Sequence, residues 1–259
     1  TLARLHARSL SFKLRNPEKF RELVGPLIEV VFPQDKRPAL GASIDSSTTI
    51  GIAHLSELEA EDETIPPAIA YLKTLQGKAF STMKELVIPD RGKYDVLTHG
   101  DSWNNNFLFK HDPQGSVVDV KLIDFQCARH ASAAIDFHYF VYSSARNYVI
   151  ENHYEDLIEI YHKALVNNLK ELKVPEEDVH AMSMDWWRGE LNKLAYYGLY
   201  TSFWLVQAVL ADDDNMINMD DLTPDFLAEI EKVVPPATPL KTQRMRCVTL
   251  HFMKKYAGI

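Results

Sequence analysis

Cysteine is nearly missing: Cys127 and Cys247 are the only two in 259 residues. Two are too few for a framework of bridges, so the reading is a pair of free, buried thiols in a reducing compartment. Glycine is scarce as well, at 10 residues, and no two glycines stand two positions apart, which excludes a G-x-G-x-x-G phosphate loop. Positive charge is in deficit, with 28 Lys+Arg against 36 Asp+Glu and a net charge of -8. No long-range field therefore favours nucleic acid or anionic lipid, and neither is expected as a partner. Repeats, low-complexity tracts and Gly/Ser linkers are absent. One uncharged stretch, residues 194–211, is long enough to span a bilayer, but Tyr196, Tyr197, Gly198, Thr201, Ser202 and Gln207 interrupt it. It reads as a buried core helix rather than a membrane span. With no signal peptide visible, the expected location is cytoplasmic.

What is present is mostly helical. Leu2, Leu5 and Leu10 already keep helical spacing, so the sequence reads as beginning inside an element. The opening TLARLHARSLSFKLR has no acid before Glu18, a composition that transit peptides share, but the spacing of its leucines favours an internal amphipathic helix. Asn16-Pro17-Glu18 supplies a cap, a proline for the first helical position and an acid for the first turn of a helix that Gly25-Pro26 interrupts. Residues 64–75, 79–86, 152–172, 183–211 and 240–256 carry helical patterns, and Thr223-Pro224-Asp225 starts a shorter one. The exceptions are three strand candidates at 94–98, 107–110 and 117–123, the last two joined by the turn-rich HDPQGS. The fold class expected is α+β, mostly helical, in one lobe over residues 1–259, with a small β-hairpin region that carries the chemistry.

That chemistry is concentrated in LTHGDSWNNNFLF and VKLIDFQ. His99, Gly100 and Asp101 follow a strand, Asn106 stands five positions beyond Asp101, and Asp124 closes the hairpin that starts next to Asn106. Phosphoryl transfer needs such a set: a carboxylate to accept the proton of an attacking hydroxyl, and an amide oxygen with a second carboxylate as hard ligands for Mg²⁺ on nucleotide phosphates. At ordinary residue frequencies of ~3–7%, H-G-D-x-x-x-x-N arises by chance in about one chain in a thousand of this length. Taken singly, Asp101 also fits a turn or cap, Asn106 a loop amide and Asp124 a strand-end acid.

These strings, with Ala134-Ile135-Asp136-Phe137 and the early LARLHARSL, resemble the ecdysteroid kinase-like family, relatives of choline kinases and aminoglycoside phosphotransferases within the protein-kinase-like fold. The resemblance implies the large C-terminal lobe of that fold and an ATP- and Mg-dependent kinase acting on a small-molecule hydroxyl, such as an ecdysteroid, a steroid-like alcohol or a xenobiotic alcohol. It assigns Asp101 as catalytic aspartate, His99 as the histidine bracing the loop, and Asn106 and Asp124 as the metal ligands that hold the nucleotide. Asp136 becomes the aspartate that holds the catalytic loop, with a helix-start acid as the plainer alternative.

Trp103 stands where a protein Ser/Thr kinase carries lysine, DFQ replaces DFG, and no APE follows, so a polypeptide substrate is not indicated. Trp103, Gln126 and His138 are candidates to face the substrate, with packing as the alternative for each. Cys127 reads as a small buried filler rather than a nucleophile. The glycine-rich loop and strand lysine of a nucleotide-clamping N-terminal lobe have no counterpart in the 259 residues, so the sequence reads as a fragment whose missing lobe packs against it. Exposed apolar surface is expected near the start of the chain and at the edge of the Tyr94 to Ile123 region. Two alternatives remain: a kinase-scaffold binding module without catalysis, and a choline- or aminoglycoside-type kinase with an acidic pocket for a cationic acceptor.

Overall fold

The computed structural model describes residues 1–35, 38, 40–89, 92–210 and 236–259. The helix expected at Thr223-Pro224-Asp225 lies outside them. Ten α-helices and four short strands are described: α1 (Leu2–Arg15), α2 (Pro17–Val24), α3 (Leu40–Ser56), α4 (Ile65–Lys73), α5 (Ala79–Leu86), β1 (Val96–Thr98), β2 (Phe107–His111), β3 (Val117–Leu122), β4 (Arg129–Ala131), α6 (Ala134–Ser144), α7 (Asn147–Glu171), α8 (Glu176–Ala181), α9 (Met184–Val209) and α10 (Pro239–Phe252). Over the described residues the chain is thus α+β and mostly helical, with two small sheets. No described helix is long and apolar enough to cross a membrane.

The chain divides into two compact units, each assembled from separated segments. The first takes residues 1–30, 87–144 and 153–194; the second takes 31–86, 145–152 and 195–259.

In the first unit, α1 buries Leu2, Ala3, His6, Ala7, Leu10 and Ser11, a stripe at helical spacing that turns one face inward. Asn16 ends this helix and precedes Pro17, whose missing N–H costs nothing at the first position of α2. Ser9 Oγ accepts the Leu97 N–H at 2.6 Å, tying α1 to β1. β1 pairs antiparallel with β4, Val96 opposite Ala131 and Thr98 opposite Arg129. β2 and β3 form the expected hairpin, with Phe107 opposite Leu122. Its turn is closed by Asp112 Oδ1, which accepts the N–H groups of Gln114 at 3.0 Å and Ser116 at 2.8 Å. The unit has an aromatic core in which Trp187, fully buried, stacks on Tyr161 at 4.5 Å and meets Phe137 edge-on at 5.6 Å. Leu108, Phe109, Val117 and Val118 on the hairpin, and Leu23, Leu27, Ile28 and Val30 at and after the end of α2, are exposed.

In the second unit, α3 packs against α4, α5 and α10. Its sequence, LGASIDSSTTIGIAHLS, is poor in strong helix formers. The helix is held by burial of Ile44, Thr48, Ile52 and Leu55 and by Gly51, where an added Cβ would lie 3.0 Å from the Phe203 ring. Asp45 Oδ1 in turn accepts the Phe80 N–H at 2.8 Å, so a carboxylate distant in sequence meets a backbone donor in the first turn of α5.

Candidate active site

The site is built on the four residues that follow β1. Asp136, in the first turn of α6, is fully buried, and its carboxylate accepts three hydrogen bonds: from His99 N–H to Oδ2 at 2.7 Å, from Gly100 N–H to Oδ1 at 2.8 Å, and from His6 Nε2 to Oδ2 at 2.9 Å. Ser102 Oγ donates to the Asp136 carbonyl at 2.9 Å. Burial alone would push this carboxyl up, but His6 and the Gly100 and His99 amides outweigh it and hold it below the usual carboxylate range. One buried carboxylate therefore satisfies two consecutive peptide donors of a loop that belongs to no sheet or helix.

The loop turns at Gly100, which has φ +80° and sits so close to the next segment that an added Cβ would lie 1.9 Å from the Cys127 carbonyl oxygen. The fully buried His99 ring links the loop to the hairpin. Its Nδ1 accepts the Asp101 N–H at 3.3 Å, which leaves the ring proton on Nε2 to be donated to the Ile123 carbonyl at 2.8 Å. Phe125 packs on the same ring, with centroids 4.6 Å apart.

Asp101 is engaged at both carboxylate oxygens. Oδ1 accepts from the Tyr139 hydroxyl at 2.5 Å, and Oδ2 accepts from Asn106 Nδ2 at 2.9 Å. Asn106 Nδ2 also donates to the Asp101 carbonyl at 2.8 Å. Two acceptors on one end of the amide leave no choice of orientation: the nitrogen faces Asp101, and Oδ1 is the end available to a cation. The Asn106 carbonyl accepts the Ile123 N–H at 3.1 Å, so the hairpin brings the backbone of Asp124 beside that of Asn106. Asp124 is exposed, adopts φ +60° and accepts from Gln126 Nε2 at 3.3 Å. A positive φ at a non-glycine residue beside a polar cluster is a local strain that acids and amides tolerate best.

The structure thus brings His99, Asp101, Asn106 and Asp136 into one hydrogen-bonded network, with Asp124 joined through the backbone. Three participants stand outside HGDSWNNN, LIDFQ and AIDF. His6 lies on the buried stripe of α1, Tyr139 stands one helical turn beyond Asp136, and Tyr161, from the middle of α7, shares a 2.6 Å hydrogen bond between its hydroxyl and His6 Nδ1. The i, i+3 spacing from Asp136 was the available signal for Tyr139. Of the residues considered as facing the substrate, Gln126 is exposed beside Asp124, and Trp103 is half-buried with an indole N–H that has no hydrogen-bond partner among the described residues. His138 is different: it is fully buried, donates Nε2 to the Leu191 carbonyl at 2.9 Å and stacks on Tyr142, which makes it a core histidine.

Cys127 and Cys247 are both free thiols. Burial, followed by the Asp101 charge, pushes the Cys127 thiol up to about 11. A thiol raised from the ordinary 9.0 to about 11 has roughly a hundredth of the thiolate at pH 8. Cys127 is accordingly expected to react with iodoacetamide about a hundredfold more slowly than a free thiol at that pH. Mass spectrometry of timed alkylation checks this, and modification at the free-thiol rate would contradict it.

The class is a mostly helical α+β chain in which a buried aspartate on α6 holds a polar loop beside a strand hairpin. The model of the ecdysteroid kinase-like family matches residues 1–174, a span that contains every residue of this network, and the chain belongs to that family, whose members are kinase-like phosphotransferases. No curated protein and no solved structure matches the chain.

Proposed function

We propose that the chain carries the acceptor-side machinery of an ATP- and Mg-dependent phosphotransferase acting on a small-molecule hydroxyl, with ecdysteroids, steroid-like alcohols and xenobiotic alcohols as the substrate class and a protein-kinase-like lobe as the scaffold. The supporting observation is the loop network itself, in which Asp136 holds the His99 and Gly100 amides while Asn106 orients the Asp101 carboxylate. Asp101 accepts the proton of the attacking hydroxyl, His99 braces the loop against the hairpin, and Asp136 keeps the loop in place.

Asn106 and Asp124 fit a hard cation. Asn106 Oδ1 is turned away from Asp101, and the exposed Asp124 carboxylate has a neutral amide as its hydrogen-bond partner. Among the described residues no group of three or more His, Cys, Asp or Glu gathers into a self-contained metal cage. One amide oxygen and one carboxylate suit an ion that takes its remaining ligands from nucleotide phosphates, as Mg²⁺ does. When bound, Mg²⁺ neutralises phosphate charge as it develops.

The test is a panel of hydroxylated lipophiles incubated with ATP and Mg²⁺ and the full-length protein. Acceptor-dependent ADP formation at least about tenfold above hydrolysis, abolished by EDTA, is the expected result. ADP release that no alcohol stimulates and EDTA does not affect would overturn the reading.

A further inference from the structure

Asp101 receives its two side-chain donors on opposite oxygens, and they come from different parts of the chain. Asn106, on Oδ2, belongs to the loop and has a second task, because its own Oδ1 is the end offered to a cation. Tyr139, on Oδ1, stands on α6, 38 positions from Asp101, and is 5% exposed, so its ring is fixed by the packing of a helix. At 2.5 Å the phenol makes a charge-assisted hydrogen bond to the carboxylate at the short end of the range, roughly twice as strong as a neutral one.

The last torsion of an aspartate is broad, so the carboxylate turns unless its oxygens are held. A base that takes a proton from an attacking hydroxyl must present one lone pair in one direction. Asn106 alone is a poor reference for that direction, since it is shared with the cation; the phenol is anchored independently. If the phenol only drew charge from the base, its removal would speed proton transfer. If it holds the base in place, its removal slows the reaction.

We propose that Tyr139 is a positioning residue for phosphoryl transfer, whose hydroxyl holds Asp101 Oδ1 so that the carboxylate keeps one orientation toward the acceptor hydroxyl. This rests on the phosphotransfer reading. The alternative is that Tyr139 only fills the core side of α6, as Phe137 does.

Tyr139→Phe keeps the ring and removes the hydroxyl. Val141→Ala weakens the same helix at a buried position about 200° around it. Asp101→Asn and the double variant complete a cycle. Steady-state kinetics of the full-length protein with an accepted alcohol, Mg²⁺ and ATP is the first readout, with melting temperatures for every form. Tyr139→Phe is expected to lower kcat by about 10–50-fold with KM for ATP within about twofold, and Val141→Ala to leave kcat within about twofold even where its melting temperature falls further. Adding Tyr139→Phe to Asp101→Asn is expected to change the residual turnover by less than about twofold, because the phenol acts through the carboxylate already lost. The second readout needs no nucleotide. With tyrosine labelled at ¹³Cζ, the Tyr139 signal is expected to move in Asp101→Asn while that of the exposed Tyr148 stays.

An unchanged or raised kcat in Tyr139→Phe, an equal loss in Val141→Ala, the full loss repeated in the Asp101→Asn background, or a Tyr139 signal indifferent to Asp101→Asn each overturns the proposal. An inactive Asp101→Asn beside a fully active Tyr139→Phe overturns it alone and leaves the phosphotransfer reading standing. A wild type that turns over no acceptor, or full activity in Asp101→Asn, overturns that reading and the proposal with it.

Discussion

Asp101→Asn is expected to lower turnover of the full-length protein by about 10²–10⁴-fold, or about 3–5 kcal/mol of barrier, while ATP affinity stays within about threefold. The substitution is close to isosteric, and the surroundings can accommodate the amide. Asn106 Nδ2 requires an acceptor at its contact, so the new carbonyl oxygen faces Asn106 and the new NH₂ group faces Tyr139. The Tyr139 hydroxyl rotates from donating to accepting without loss of the contact. What disappears is the charge and the capacity to take a proton from an acceptor hydroxyl. Steady-state kinetics with an accepted alcohol, together with nucleotide titration, checks the outcome. Turnover retained within about threefold would remove Asp101 from the base role.

Gly100→Ala is expected to destabilise the protein by about 3–5 kcal/mol, at the upper end of single substitutions, and to abolish turnover. Two costs add. At φ +80° an alanine pays roughly 1–2 kcal/mol for the left-handed backbone. The methyl would also stand 1.9 Å from the Cys127 carbonyl oxygen and 2.6 Å from its carbon, atoms of the main chain that cannot rotate aside. Relief requires the loop to leave Cys127, and the loop carries the Gly100 N–H away from Asp136. Gly115→Ala is the comparison, because Gly115 has φ +85° but nothing within 4 Å of its Cβ position. That variant pays only the backbone cost, about 1 kcal/mol. Urea unfolding of the pair isolates the clash; equal losses for the two would show that the Cys127 contact is not what requires glycine at position 100.

Much of this site was legible in the string HGDSWNNN because its residues act through the backbone they sit on. Asp101 and Asn106 meet within a single loop, at a separation of five positions, so the bond between them follows from local geometry. Hairpin pairing of β2 with β3 carried the inference on to Asp124, since a register of Phe107 opposite Leu122 returns the chain to where it started. The β4 strand was not legible. Its three residues, Arg129 to Ala131, are too few and too polar to show a strand pattern in the sequence; all three pair with β1, and Arg129 is buried with Glu29 at 2.7 Å. Helix α3 was missed for a similar reason: glycines, serines and threonines weaken its local propensity, and burial in the second unit overrides it.

By itself, then, the sequence determined what repeats along the chain or closes within a few residues: helices with an apolar stripe, the hairpin with its Asp112 turn, and the order of His99, Asp101, Asn106, Asp124 and Asp136. Such features depend on period and on turn chemistry, and both are written locally. Only the tertiary structure decided which distant groups converge on them. His6, Tyr139 and Tyr161 enter the network from three helices, and His138, adjacent to Tyr139 in sequence, points into the core instead. Successive residues on a helix lie about 100° apart, so a one-position difference decides between site and core, and that is settled by how the helix packs.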